Sequence, residues 1–205
     1  MKKKNNIQRS PVALAILALL AEQPMHPYRM QQLIKERGKD EVINVRQRAS
    51  IYQTIDRLLR DGLISVQETL KEAGKPDRTV YESTEEGRRI LLEWLRDMLS
   101  APAQEFPEFP VAVSFLALLE PDDVLQRLER RSLALQEEID RLSTEMQTYK
   151  DRLPRLFMLE SEYKRAVLSA EWQWVRSVIG DLRNETLTWN EEWLREIANR
   201  LNSKE

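Results

Sequence analysis

The residues able to do chemistry in this chain of 205 residues are few and of one kind. Cysteine is absent, which excludes disulfides, thiolate metal sites and cysteine nucleophiles. His26 is the single histidine, which excludes a His-rich metal site and leaves a Ser-His-Asp triad without support. The sequence carries no phosphate-cradling glycine loop, metal cluster or nucleophile–base pair, so no cofactor is expected and an enzyme is a distant reading. What the chain does offer is a run of hydrogen-bonding side chains, Ser50, Gln53, Thr54 and Arg57, with Tyr52 among them. Side chains of these types bond base edges and phosphate oxygens. Further on, Lys71, Lys75 and Arg78 place cations in and beside a turn-rich connector. The chemistry this suggests is recognition of a polyanion.

Charge along the chain agrees. The net charge is −2, but residues 1–60 hold 12 basic and 5 acidic side chains, a net of +7, and residues 100–205 have a net of −6. A basic first part joined to an acidic remainder suggests that one part meets a polyanion and the other does not.

The elements that must position these residues are legible from period and capping. Ser10-Pro11 reads as an N-cap followed by proline at the first helical position. Val12–Leu20 is apolar almost all round, as in a helix central to a core. His26-Pro27 opens a second helix carrying Tyr28, Met30, Leu33 and Ile34, ended by Arg37-Gly38. A third helix runs from Arg48 to Asp61, with Ile51, Ile55, Leu58 and Leu59 inward and Gly62 as its stop. Leu63–Leu70 and Asp77–Ser83 read as two strands joined by Lys71–Pro76. Ser83 and Glu86 have capping-box spacing for a fourth helix, which carries Ile90, Leu91, Trp94, Leu95, Met98 and Leu99. Three helices, a two-stranded hairpin and a helix make a winged helix-turn-helix over residues 1–99.

Residues 100–110 are proline-rich and read as a linker. Residues 111–205 read as a helical dimerisation domain: a short helix, Val111–Leu119, then a long one from Pro121 to Pro154. Leu125, Ser132, Ile139, Met146 and Leu153 recur every seven residues, as do Leu128, Leu135, Leu142 and Tyr149. That is a coiled-coil seam. A second long helix with Leu159, Tyr163, Ala166, Ala170, Trp174 and Val178 folds back antiparallel. Gly180 weakens it, and Asn184 caps a last helix. The fold class is thus mainly α, a winged helix with a two-stranded β wing followed by an antiparallel helical domain. The seam and the aromatic-rich second helix need mutual cover from two chains. That predicts a homodimer with more than about 2,000 Å² buried, with Leu128, Leu135, Ile139, Leu142, Met146 and Trp174 as dimerisation residues.

The first half resembles the PadR-type transcriptional regulators. The resemblance rests on Leu14–Leu20 with Pro24-Met25-His26-Pro27-Tyr28, on Ser50–Ile55, on Leu59-Arg60-Asp61-Gly62-Leu63-Ile64, and on Gly74-Lys75-Pro76-Asp77-Arg78-Thr79-Val80-Tyr81 followed by Thr84-Glu85-Glu86-Gly87-Arg88. The wing and the long second half look like the branch with a large C-terminal coiled-coil domain, which includes the AphA-type activators. The resemblance implies a dimer on an inverted-repeat operator, with Tyr28, Ser50, Tyr52, Gln53, Thr54, Arg57, Lys75 and Arg78 on the DNA. It favours a phosphate-facing hydroxyl for Tyr52 over a partly buried aromatic. Two features depart from the family pattern: Pro27 stands where glycine is usual, and the last helix, with Trp189 and Trp193, extends past the expected end.

Trp94, Trp172 and Trp174 read as core or dimer interface, the alternative being a pocket for a small aromatic effector, as in the drug- and phenolic-acid-responsive members. His26 reads as a helix-start or core-edge residue. Lys2, Lys3 and Lys4 read as a solvated run, with added non-specific attraction to phosphate as the alternative. Lys2–Lys4 ahead of the apolar Val12–Ala21 has the outline of a signal peptide, but the run is too short to span a bilayer and lacks an Ala-x-Ala site, so a cytoplasmic protein without a membrane partner is expected. The competing class is a coiled-coil interaction module whose winged helix binds another protein; the +7 of residues 1–60 argues against it.

Overall fold

A computed structural model describes residues 9–43, 48–70 and 78–202; the side chains of residues 48, 49, 70, 78 and 202 are not part of that description. The chain divides into two compact units, residues 1–104 and 105–205.

In unit 1, α1 (Pro11–Glu22) begins as its sequence predicts: the Ser10 hydroxyl accepts from the Ala13 amide at 3.2 Å. Ala13, Ile16, Leu17 and Leu20 of α1 are buried, so this helix is the centre of the first core. In α2 (Pro27–Glu36) His26 is the N-cap, its Nδ1 accepting from the Arg29 amide at 3.1 Å. Pro27 sits in the first turn, where the absent N–H costs nothing. Glu22 and Arg37 form a two-pronged ion pair, both bonds 2.7 Å, linking the end of α1 to the end of α2.

α3 (Arg48–Arg60) buries Ile51, Ile55 and Leu58 against α1. It ends at Gly62, whose φ of +70° is the left-handed conformation that glycine adopts without strain. Strands β1 (Ile64–Leu70) and β2 (Arg78–Ser83) pair antiparallel, with a register irregularity between Val66 and Glu68. Met25 adds an isolated bridge to Tyr81, exchanging both backbone bonds at 3.1 Å.

α4 (Glu85–Ser100) corrects the capping expectation. Thr84, not Ser83, is the N-cap, and its hydroxyl accepts from the Gly87 amide at 3.0 Å. Ser83 is buried as the last strand residue. Thr84 also donates from its hydroxyl to the Gly62 carbonyl (2.8 Å) and from its amide to the Leu63 carbonyl (3.1 Å). This joint is tight enough that a Cβ on Gly87 would lie 2.0 Å from the Leu63 oxygen. Trp94 lies in the same core.

Unit 2 contains α5 (Glu108–Ser114), a 3-10 turn at Leu116–Leu118, α6 (Pro121–Tyr149), α7 (Leu159–Arg183) and α8 (Glu191–Asn202). Several expectations are corrected. α6 stops at Tyr149, a turn before Pro154, because residues 150–153 form turns. Gly180 does not interrupt α7; the helix runs through it to Arg183, and Asn184 is its C-cap rather than the start of a last helix. α8 begins seven residues later, where the Asn190 side-chain oxygen accepts from the Trp193 amide at 2.8 Å. α6 and α7 run antiparallel, tied by Arg131–Glu171 and Lys164–Glu138.

The stripe of α7 that meets α6 differs from the one its sequence suggested except at Val178, which packs half-buried against this core. Val175, Ile179 and Leu182 are the buried positions, packed with Val124, Leu128 and Leu135 of α6. Leu159, Ala166, Ala170 and Trp174 stay exposed, and so does Tyr163, at 73%. Helix-period apolar sets overlap on α7 (Trp174 adjoins Val175), and the sequence alone does not say which one faces the same chain. Trp189, which the resemblance left without a role, is buried in this core, and its indole donates to the Leu119 carbonyl at 3.0 Å.

Candidate nucleic-acid interface

The solvent face of α3 follows from its buried stripe. With Ile51, Ile55 and Leu58 turned into the core, Tyr52 is 51% exposed, and Gln53, Asp56 and Arg60 share that side. Ser50, Thr54 and Arg57 lie on one flank, spaced i, i+4 and i+7, and all are half-buried. Thr54 donates its hydroxyl hydrogen back to the Ser50 carbonyl at 2.6 Å. Arg57 reaches sideways, its Nη2 donating to the Ser10 hydroxyl at 3.1 Å. One end of the α3 flank is therefore fixed to the start of α1. Sequence reasoning missed this contact, because the two residues are 47 positions apart and no local signal joins them.

Tyr28, in the first turn of α2, is half in solvent and stacks on His26, with ring centroids 6.2 Å apart. Tyr81 packs beside the first core. Burial raises its phenol pKa above the usual value, with Asp56 adding to the rise, so its hydroxyl stays protonated. Asp56 is a second residue that the sequence reading passed over. It puts an acidic group on the outward side of α3, so the field there is not uniformly positive. Arg78 takes the first position of β2, paired with Leu70. Lys71 and Lys75 lie outside the described residues, as do the side chain of Arg78 and the rest of the wing tip.

The structure thus brings Ser50, Thr54 and Arg57 together on one flank of α3, with Tyr52 and Gln53 beside them. The motif stretches that carry the family resemblance are partly structural joints: Met25 with Tyr81, and Gly62-Leu63 with Thr84 and Gly87.

Of the residues expected at a dimer interface, Leu128, Leu135 and Leu142 are buried within unit 2 itself, Leu142 to 1% exposure. Ile139 and Met146 are half-buried, and Trp174 is 44% exposed with its ring edge-on to Phe109 at 5.9 Å. Trp172 is half-buried under the Arg176 guanidinium. A cleft of about 250 Å³ opens between α5 and α6, lined by Phe109, Phe115, Leu116, Leu128, Arg127 and Arg131 among others. The Arg131 guanidinium lies 3.5 Å over the Phe109 ring. Among the described residues no group of acidic or histidine side chains has metal-binding geometry, and no helix is long and apolar enough to cross a membrane.

Comparison with known proteins agrees with this architecture. Bacillus subtilis PadR in complex with operator DNA superposes with a TM-score of 0.67 at 18% identity, over 85% of this chain and 99% of that one. The same protein with p-coumaric acid gives 0.67 at 17% identity, over 84% and 98%. The PadR-like regulator BC1756 from Bacillus cereus gives 0.57 at 15% identity, over 85% and 99%. At these identities the likeness establishes a shared fold. No curated protein sequence matches significantly. Residues 16–93 match the transcriptional regulator PadR-like family, a stretch that contains α2, α3, both strands and most of α1 and α4, so the winged-helix part of this chain is PadR-like.

Proposed function

We propose that this chain binds double-stranded DNA as a cytoplasmic homodimer and regulates transcription from an inverted-repeat operator. The observation that carries the reading is the division of α3. Its apolar stripe is spent on the core, which leaves Tyr52 and Gln53 projecting, on a PadR-like winged helix. In this reading α3 enters a major groove and Gln53 meets base edges. Tyr28, Ser50, Tyr52, Thr54 and Arg57 position the head on the backbone, and Lys75 and Arg78 of the wing take flanking phosphates. The bound operator of Bacillus subtilis PadR supports the same use of the fold.

The homodimer rests on unit 2. The exposed stripe of α7, with Tyr163 and Trp174, and the half-covered Ile139 and Met146 of α6 form apolar surface that a second copy would cover. An aromatic acid is the effector class that suits the cleft between α5 and α6, with Phe109 and Phe115 as its walls and Arg127 and Arg131 beside them. Bacillus subtilis PadR bound to p-coumaric acid is the precedent.

Selection of bound duplexes from a random pool tests the reading. The expected result is a two-fold motif with half-sites about 10 base pairs apart or a multiple of that. Gln53→Ala is expected to relax preference at one position of each half-site. Recovery of no motif, with no gel shift at low salt, would overturn DNA binding and favour a protein partner for the winged helix.

A further inference from the structure

We infer that unit 2 pairs with a second copy in antiparallel register, the turn between α6 and α7 of each copy docking on α5 and the 3-10 turn of the other. The inference rests on the homodimer reading and names the surfaces and the direction that reading leaves open. It starts from two apolar patches at opposite ends of α6. At the far end, Leu153, Leu156 and Phe157 are exposed in the turn that joins α6 to α7, Leu156 at 71%. At the near end, Val111, Phe115 and Leu118 are exposed at i, i+4 and i+7 spacing along α5 and the 3-10 turn after it, Leu118 at 85%. With 29 residues α6 is about 43 Å long, so a chain cannot lay its own turn on its own α5.

A third set joins the two. Leu159, Tyr163, Val167, Ala170 and Trp174 follow one another at helical spacing along α7, all exposed. The set starts beside the turn and ends where the Trp174 ring meets Phe109 of α5. Exposed apolar surface therefore runs from one end of the hairpin to the other, and a partner with the same surface can cover all of it.

Charge decides which way that partner lies. Residues 150–158 carry Lys150, Arg152 and Arg155 against Asp151. Residues 105–123 carry Glu105, Glu108, Glu120, Asp122 and Asp123 and no basic side chain. A parallel pair would set basic turn on basic turn and acidic end on acidic end, with like charges juxtaposed at both. A two-fold antiparallel pair sets each basic turn on the acidic end of the other copy, and by symmetry both patches of both copies are covered at once. Asp123 and Arg155 are already engaged within the chain, with Arg127 and Glu162. Lys150 and Arg152 of one copy against Glu108 and Glu120 of the other therefore set the direction.

The chain has no cysteine, so placed thiols report the register. The full chain carrying both Ala117→Cys and Leu156→Cys is treated with a short bismaleimide and run on a denaturing gel. A covalent dimer is expected, whereas each single variant should run as a monomer. The two positions lie at opposite ends of α6, so a link between them joins two copies. In the sedimentation assay, Lys150→Glu with Arg152→Glu is expected to raise the dimer dissociation constant roughly tenfold. Adding Glu108→Lys and Glu120→Lys to that chain should bring it back toward the parent value. A covalent dimer in Leu156→Cys alone, a wild-type dimer that gives no link in the double variant, or a loss of affinity that the second pair of changes deepens would overturn the antiparallel register and leave the homodimer standing. A wild-type protein that sediments as a monomer would overturn the homodimer reading itself, and this inference with it.

Discussion

Helix α1 buries Ala13, Ile16, Leu17, Leu19 and Leu20 and half-buries Val12, Leu14 and Ala15, whereas α7 buries one apolar stripe and leaves a second in solvent. The difference extends to the units that contain them. In unit 1, α1, α2, α3 and α4 close around Ile16, Leu17, Ile34 and Ile55, and the ends are sealed by polar joints such as Thr84–Gly62 and Glu22–Arg37. In unit 2, two long helices pack along one seam with Phe109, Leu116, Trp189 and Leu194 added at one end, and Tyr163 and much of Trp174 stay in solvent. A head that must present a fixed helix to a ligand gains from a closed core. A pair of long helices with uncovered aromatics is suited to completing its core with another copy.

The comparison breaks most readily at Leu142, which is almost wholly buried. Leu142→Asp places a charge without a partner between α6 and α7, with a cost of about 4 kcal/mol or more. Unit 2 is expected to melt well below its parent temperature while unit 1 keeps its own transition. Unit 1 has a counterpart in Gly87→Val. The added Cβ would meet the Leu63 carbonyl, a backbone atom that cannot move aside, so destabilisation of about 3 kcal/mol is expected from overpacking. Here unit 1 should melt early and unit 2 should not, as followed by heating with a probe in each unit.

Tyr163→Glu with Trp174→Glu sharpens the comparison between the two stripes of α7. Both side chains are substantially exposed in the single chain, so the fold of the protomer should survive with a change within about 1 kcal/mol. The dimer should not survive, because two like charges per copy would enter the interface. Sedimentation is expected to give a folded monomer at micromolar concentration, against a dimer for the parent. An unchanged dimer would remove this stripe from the interface.

Much of the head was legible because its signals are local. Ser10 before Pro11, Gly62 after α3 and the Ile51–Ile55–Leu58 spacing each name their own structural role. The capping residue of α4 slipped by one, since Ser83 and Thr84 both suit the position and only burial at the end of β2 decides between them. In unit 2 the heptad on α6 was clear. The face of α7 was not, because Trp174 and Val175 are neighbours on a helix with apolar residues on two sides, and tertiary packing makes the choice. On the candidate interface, spacing showed which way Tyr52 and Gln53 point. It could not show that Arg57 bonds Ser10, a contact made only when α1 and α3 are packed.

The smallest expected effect distinguishes the units by acid. In unit 2 the side-chain hydrogen bond from Arg141, then that from Lys164, hold the Glu138 carboxyl down to about 2. In unit 1 Glu22 is lowered too, chiefly by its hydrogen bond to Arg37. A carboxylate whose pKa is depressed by folding contributes stability above its unfolded value of about 4.3 and loses it as pH falls through the folded value. For Glu138 the window runs from about 4.3 down to about 2. The contribution is modest, since the side chain is one-third exposed and screened by water and salt; about 1 kcal/mol is an upper figure. Lys164→Met removes the bond that crosses from α7 and leaves Arg141, which lies on α6 itself. The urea midpoint of unit 2 should then depend less on pH between 4.5 and 2.5, while that of unit 1 keeps its slope. An equal flattening in both units would assign the acid sensitivity to net charge rather than to this pair, because net charge acts on the whole chain and a cross-helix bond acts only where the helices meet.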